Sequence, residues 1–213
     1  MRNWFSARAL ALLASFLLAL PAAAQRAPQL GREYREVKPV QATSAPEKIE
    51  VIEFFWYGCP HCNALEPALQ AWIGKQADDV VIRKVPAGFR NWRVHQQMFY
   101  ALEAMDKVDA LHAKIFRAIH VNRNPLANFD QQADFVAANG VDRKAFAANY
   151  KSFTVATQMQ RANKLVEAYG LDGVPAFAVN GKYFTAPAMA GGNVRVLEVL
   201  DYLIERERKA AAR

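Results

Sequence analysis

The sequence predicts an α/β fold in which a strand–helix–strand half and a strand–strand–helix half are separated by a block of helices. Three observations carry this. Two runs rich in β-branched and aromatic residues, Lys48–Tyr57 (KIEVIEFFWY) and Val80–Val85 (VVIRKV), bracket a stretch of helical periodicity. From Phe89 to Tyr169 apolar residues recur at spacings of three and four, with no strand texture between them. Strand texture then returns at Gly173–Val179, followed by an Asn-Gly turn and an amphipathic C-terminal segment.

The chain of 213 residues opens with features of an export signal. Arg2 and Arg8 flank a short basic start, Ala9–Leu20 carries no charge, and Pro21 precedes Ala22-Ala23-Ala24, where small residues suit a signal peptidase cutting after Ala24. The apolar run of twelve residues is short for a hydrocarbon core of roughly 30 Å, which favours a cleaved signal over a permanent anchor. Removing Arg2 and Arg8 takes the 27 basic residues to 25, against 20 acidic ones, and the net charge from +7 to +5. The basic residues are dispersed and no aromatic-basic tract follows a backbone, so the charge describes a solvated surface and no nucleic-acid site.

Residues 25–47 are polar, interrupted by Pro28, Pro39 and Pro46, and read as an arm in which Tyr34–Val37 adds at most a short strand. Lys48–Tyr57 is the expected central strand. The helix after it begins at Cys59-Pro60-His61-Cys62, with Leu65, Leu69, Trp72 and Ile73 on one side and a kink expected at Pro67. Val80–Val85, stopped by Pro86, completes a right-handed crossover and hence a parallel strand pair. Helices are expected over Trp92–Met105, continued or replaced by Ala110–Ile119, then over Gln131–Ala138, Arg143–Tyr150 and Phe153–Tyr169, with Trp92, Phe99 and Met105 in their core. Asn180-Gly181 is a two-residue hairpin signal returning through Lys182–Thr185, and Val194–Glu207 closes the chain as a helix. The expected organisation is a signal over 1–24, an arm over 25–47, one sheet domain from 48–88 and 170–213, and an inserted helical domain over 89–169.

The two cysteines, Cys59 and Cys62, are the most informative part of the composition. An exported protein meets an oxidising compartment where bridges persist, but a bridge enclosing Pro60 and His61 removes little unfolded-state entropy, so stability explains it poorly. Chemistry explains it better. At the start of a helix, unpaired backbone N–H groups and the positive end of the helix dipole favour an anion. Pro60 costs nothing in the first turn, and His61 can donate to the sulfur or stand beside it as a cation. Each effect favours thiolate over thiol. Because the thiolate exists only in the reduced protein, each unit of pKa lowering below ambient pH adds about 1.4 kcal/mol to that state and makes the bridge about 30 mV more oxidising. Half a zinc site is the main competitor. It needs two further ligands, and of His95, His112 and His120 the last two lie eight residues apart in a helical stretch, which is no metal knuckle. Cys59 is expected at an exposed helix tip as the sulfur that a substrate attacks, and Cys62 one turn inward as the shielded one.

These residues resemble the DsbA family of bacterial periplasmic disulfide oxidoreductases. The resemblance rests on Glu53-Phe54-Phe55 upstream of Cys59-Pro60-His61-Cys62, the long helical insert, and Val174-Pro175-Ala176 leading to Val179-Asn180-Gly181-Lys182-Tyr183. It implies a thioredoxin-like fold with the helical domain inserted after the β-α-β half. It implies the Cys59–Cys62 disulfide as an intrinsic redox centre with no further cofactor. It also implies Pro175 as a cis-proline facing the disulfide, with Val174 and Pro175 contacting substrate in extended form. Glu53 is an acid in an otherwise apolar strand, and a buried carboxylate requires a partner; Lys84 on the neighbouring strand is the expected one, although Arg83 alternates with it. The resemblance gives that pair the task of assisting proton movement. Trp56, Tyr57 and Phe177 are candidates for an apolar surface around the disulfide or, for any one of them, for the core, and His95 either lies towards the active-site face or, the preferred reading, is a satisfied polar histidine. Two departures from the family bear on the site: Gly58 stands where an aromatic residue is unsurprising, which suggests a looser loop, and Pro86 stands where other members place a polar residue.

The implied function is donation of the disulfide to reduced, newly exported proteins in the periplasm by a monomer, with a membrane quinone-linked partner of the DsbB type restoring the bridge. A disulfide isomerase or reductase is the nearest alternative; family isomerases carry an N-terminal dimerisation domain for which residues 25–47 are too few. A binding or assembly protein with an unused bridge is a third reading, and the intact cysteine pair argues against it.

Overall fold

The computed structural model describes residues 26–89 and 92–212. The expected signal over 1–24 and its cleavage after Ala24 lie outside the described residues. Strand β1 is Arg35–Glu36, β2 is Ile49–Phe55, and β3, Val80–Pro86, follows helix α1, Pro60–Ile73. Helices α2 (Arg93–Glu103), α3 (Val108–His120), α4 (Phe129–Ala138), α5 (Arg143–Tyr150) and α6 (Phe153–Ala168) come next. Strands β4 (Ala176–Val179) and β5 (Tyr183–Thr185) and helices α7 (Pro187–Ala190) and α8 (Asn193–Ala211) complete the order.

Among the described residues the strands form one sheet in the order β1-β5-β4-β2-β3. β2 pairs in parallel with β3 and antiparallel with β4, β4 with β5 and β5 with β1 antiparallel. This is a thioredoxin-like sheet with helices α2–α6 inserted between its halves. β2 is central because every residue after Ile49 in it is buried, including Glu50 and Glu53. Its side chains divide between two cores, Val51 entering one and Ile52, Phe54 and Phe55 the other. Val51 joins Leu65, Leu69 and Trp72 of α1 and Leu200 and Leu203 of α8. Ile52 and Phe54 join the core that extends through Phe99, Leu111, Ile115 and Phe116 into the insert. Each fully buried Leu, Ile or Phe contributes about 2 kcal/mol relative to exposure, so α1 is fastened from both sides of its own sequence.

Local chemistry sets the element ends. Pro86 is the last residue of β3, opposite Phe55, rather than a residue beyond it. β3 is an edge strand, where a missing N–H is tolerated, and the Pro86 carbonyl accepts from Gln96 Nε2 of α2 at 2.9 Å. Helix α1 continues through Pro67 as one element. The two readings offered for Trp92–Ile119 resolve into separate helices α2 and α3, because Asp106 takes a positive φ of 55° between them. Asn180 and Gly181 both have positive φ (50° and 70°), the backbone that a two-residue hairpin of the observed twist needs. The arm contributes β1, and Tyr34 and Val37 on either side of it are buried.

Candidate active site

The end of β2 delivers Trp56 to Cys59 as a tight turn, closed by the Cys59 N–H donating to the Trp56 carbonyl at 2.9 Å. Cys59 is the N-cap of α1, with extended backbone (φ −84°, ψ 118°), and Pro60 occupies the first helical turn. A helix N-cap normally offers an oxygen to the free amides of the first turn; here the Cys59 sulfur takes that place and accepts from the Cys62 N–H at 3.4 Å. The two cysteines are unbridged in this structure. Their pKa values move apart. The hydrogen bond with the Cys62 thiol, joined by the Cys62 and His61 amides and the His61 charge, outweighs burial and brings Cys59 down to about 6. Burial first, then the bond with Cys59 and its charge, pushes the Cys62 thiol far up.

Cys59 does not stand at an exposed tip. It is 7% accessible, against 2% for Cys62, because the loop before β4 lies over it: the Cys59 thiol donates to the Val174 carbonyl at 3.4 Å. The Val174–Pro175 peptide is cis. Beyond that loop a groove of about 400 Å³ is lined by His61, Val174, Pro175, Phe184, Pro187 and Asn193, among others. The structure thus brings Cys59, Pro60, His61, Cys62, Val174 and Pro175 into one site.

Beneath it, Glu53 and Lys84 are register partners across β2 and β3, and Lys84 Nζ lies 2.6 Å from Glu53 Oε2. Burial alone pulls the Lys84 ammonium pKa down, but the carboxylates of Glu53 and Glu66 and the Glu53 hydrogen bond more than offset it, so it stays raised. Arg83, on the other side of β3, points to Glu50 at 3.9 Å instead. Of the aromatic candidates, Tyr57 and Phe177 are fully buried and belong to the core, not to a surface. Trp56 is half-buried and stacks on Trp92 with centroids 4.3 Å apart and planes at 6°. His95 is buried with Nε2 2.9 Å from the Pro125 carbonyl. At Gly58 a Cβ would overlap the Trp56 indole, so glycine is what lets that ring fold back over the turn.

One residue, Glu66, and one contact, between His112 and Tyr57, escaped sequence reasoning. Glu66, four residues after Cys62 and on its face of α1, is 6% accessible and contacts His112 Nε2 at 3.2 Å. His112 Nδ1 in turn lies 2.9 Å from the Tyr57 hydroxyl. An acid at helical spacing from Cys62 was a usable signal; the histidine and tyrosine meet across 55 residues and gave none. Among the described residues no group of three or more His, Cys, Asp or Glu side chains is placed to hold a metal ion, and no helix is long and apolar enough to cross a membrane.

A thiol pair whose members differ this much in acidity, set at the head of a helix on a thioredoxin-like sheet, belongs to the class of thiol–disulfide exchange proteins. Residues 84–204 match the DSBA-like thioredoxin domain family. The thiol:disulfide interchange protein DsbA of Azotobacter vinelandii is 47% identical over 183 residues, covering 85% of this chain and 86% of its own. That of Pseudomonas aeruginosa is 44% identical over 212 residues, 99% of each chain. The crystal structure of Pseudomonas aeruginosa DsbA superposes with a TM-score of 0.84 at 45% identity, over 87% of this chain and 97% of that one. The oxidoreductase DsbA from Xylella fastidiosa gives 0.81 at 32% identity, over 85% and 98%. This chain belongs to the DsbA family: it is a periplasmic thiol–disulfide oxidoreductase whose redox centre is its own cysteine pair.

Proposed function

We propose that the protein oxidises reduced, newly exported proteins, with Cys59 as the sulfur they attack. The observation that carries this is the Cys59 sulfur standing at the N-cap of α1 on the Cys62 amide at 3.4 Å, a setting that favours the thiolate. A client thiolate attacks Cys59, the Cys59–Cys62 bond breaks, and Cys62 leaves and takes up a proton, in keeping with its raised pKa. A second client thiolate then attacks the client sulfur of the mixed disulfide and expels Cys59 as thiolate. The client loses two electrons and the protein gains them as a dithiol. A low thiol pKa makes Cys59 a good leaving group in this second step.

Glu53 and Lys84 assist the proton transfer to Cys62, an assignment supported by their ion pair and by the influence of Glu53 on Cys62. Pro60 and His61 set the electrostatics of the first turn. Val174 and Pro175, with the groove beside them, receive the client in extended form. A DsbB-type, quinone-linked membrane partner removes the two electrons and restores the bridge, and the protein meets it as a processed monomer released after Ala24. Residues 48–88 with 170–213 act as one folding unit and 89–169 as its insert, which fits the position of α2–α6 between β3 and β4.

The test is a reduced, unfolded client incubated with the purified bridged protein. Client disulfides should form in step with loss of the Cys59–Cys62 bridge; Cys62→Ser, first charged at Cys59 as its mixed disulfide with glutathione, should exchange glutathione for the client and release reduced glutathione, and Cys59→Ser treated the same way should capture none. A glutathione equilibrium close to that of a cytosolic reductant would instead favour an isomerase or reductase.

A further inference from the structure

The inserted helix α3 grips the active-site turn at two points. His112 Nδ1 lies 2.9 Å from the Tyr57 hydroxyl, and His120 Nε2 lies 2.8 Å from the Tyr57 carbonyl. Tyr57 is the second residue of the turn that ends at Cys59. Its phenol is fully buried, and burial, with the Glu66 and Glu53 carboxylates, keeps it protonated. A buried phenol proton needs an acceptor. The Tyr57 hydroxyl has His112 Nδ1 within reach for this, and the other ring nitrogen, Nε2, faces Glu66 Oε1 at 3.2 Å. Glu66 also accepts from Gln70 Nε2 at 2.7 Å and feels Lys84. The His112 ring stands edge-on to Phe55 and Phe116, each with centroids 5.2 Å away, which fixes its plane.

We infer that His112 is a positioning residue for the sulfur chemistry, joining the turn that presents Cys59 to the helix that carries Cys62. One nitrogen holds Tyr57 in the turn and the other faces Glu66 on α1, so the sulfur of Cys59 and the amide of Cys62 keep their relative places. His112 touches neither sulfur in this arrangement; it acts through Tyr57 and Glu66. Without it the turn and the helix are free to drift, the amide cradle loosens, and the thiolate loses stabilisation. The inference rests on Cys59 being the reactive thiolate.

The experiment compares the mature parent with Tyr57→Phe, His112→Leu, His112→Asn and the Tyr57→Phe/His112→Leu double variant. The readouts are the glutathione equilibrium, the ultraviolet titration of the Cys59 thiolate and the melting temperature. Tyr57→Phe and His112→Leu should each shift the glutathione equilibrium towards the bridged form by about fivefold, the worth of one hydrogen bond, and raise the Cys59 thiol pKa. The double variant should do no more than the larger single, and His112→Asn should recover part of the loss. The inference is overturned if the double variant is additive, or if the equilibrium and titration of the variants stay within about twofold of the parent while only melting falls. Should His112→Leu fail to fold, Tyr57→Phe and His112→Asn decide by the same criteria. A parent that titrates as an ordinary thiol would remove the reading of Cys59 itself, whereas a parent with a depressed thiol and unmoved variants removes His112 alone.

Discussion

Glu53 and Lys84 face each other across the parallel pairing of β2 and β3, with Nζ 2.6 Å from Oε2 and the Glu53 side chain 2% accessible. Removing one partner of a buried pair strands the other charge without solvent, which costs about 3–5 kcal/mol, whereas removing both is far cheaper. Lys84→Met should therefore lower the stability of the protein by about 3 kcal/mol. Glu53→Gln/Lys84→Met should recover most of that loss while still slowing client oxidation. Urea unfolding of the three proteins beside client-oxidation rates checks both statements, and an unchanged Lys84→Met midpoint would contradict the first.

The lowered thiol pKa of Cys59 gives the two redox forms different pH dependences. In the folded dithiol Cys59 titrates at about 6, against an ordinary 9.0. A group whose folded pKa is depressed stabilises the fold fully above its unfolded pKa and loses that contribution as pH falls through its folded pKa. The dithiol should accordingly gain stability relative to the bridged form as pH rises from about 6 to about 9; below that window the difference should be flat, and above it the difference should fall again, because the raised Cys62 thiol stays protonated in the fold while it ionises in the unfolded chain. Paired urea midpoints of the two forms across this range measure it. Parallel curves would contradict it.

The inserted helices owe part of their order to side-chain caps, and these are separable from the redox site. Asn128, Asp142 and Ser152 each accept from the amide three residues on, at the starts of α4, α5 and α6. Ser152→Ala removes the 3.2 Å bond to the Val155 N–H and should cost about 1 kcal/mol. The glutathione equilibrium should stay unchanged. Thermal unfolding and that equilibrium, measured together, check the separation.

What could be read from the chain follows the range of the interactions concerned. The CPHC helix start, the Asn180-Gly181 hairpin and the helix Arg143–Tyr150 are set by residues adjacent in sequence, and their patterns were plain. The pairing of Glu53 with Lys84 was also accessible, since a parallel crossover of known hand leaves few strands able to partner β2. The burial of Cys59 was not, because the carbonyl that covers it arrives from 115 residues away. Nor was the meeting of Tyr57 with His112, which depends on how the insert docks onto the sheet. Helix α7, four residues starting at Pro187, is too short to have a periodicity. Tyr57 and Phe177 are aromatic residues near the cysteines in sequence, and sequence proximity alone could not tell that their rings turn into the core.

Gly58 supplies the remaining prediction, because its place beside the Trp56 indole leaves no room for a side chain. A glycine ahead of Cys59 suggests freedom, yet the Trp56 indole lies where a side chain at 58 would start, and it is held there by its stack on Trp92 at 4.3 Å. Gly58→Ala should push the indole off that stack and destabilise the protein by about 1–2 kcal/mol, the usual cost of overpacking. Tryptophan emission should change along with it. Trimming the ring in Trp56→Ser makes room, so Trp56→Ser/Gly58→Ala should be less destabilised than the sum of the two single variants, a coupling expected only between groups in contact. Thermal unfolding of the four proteins of this cycle, with emission spectra of the folded states, measures that coupling. Additive losses would mean that the indole yields without cost and that Gly58 is free to carry a side chain.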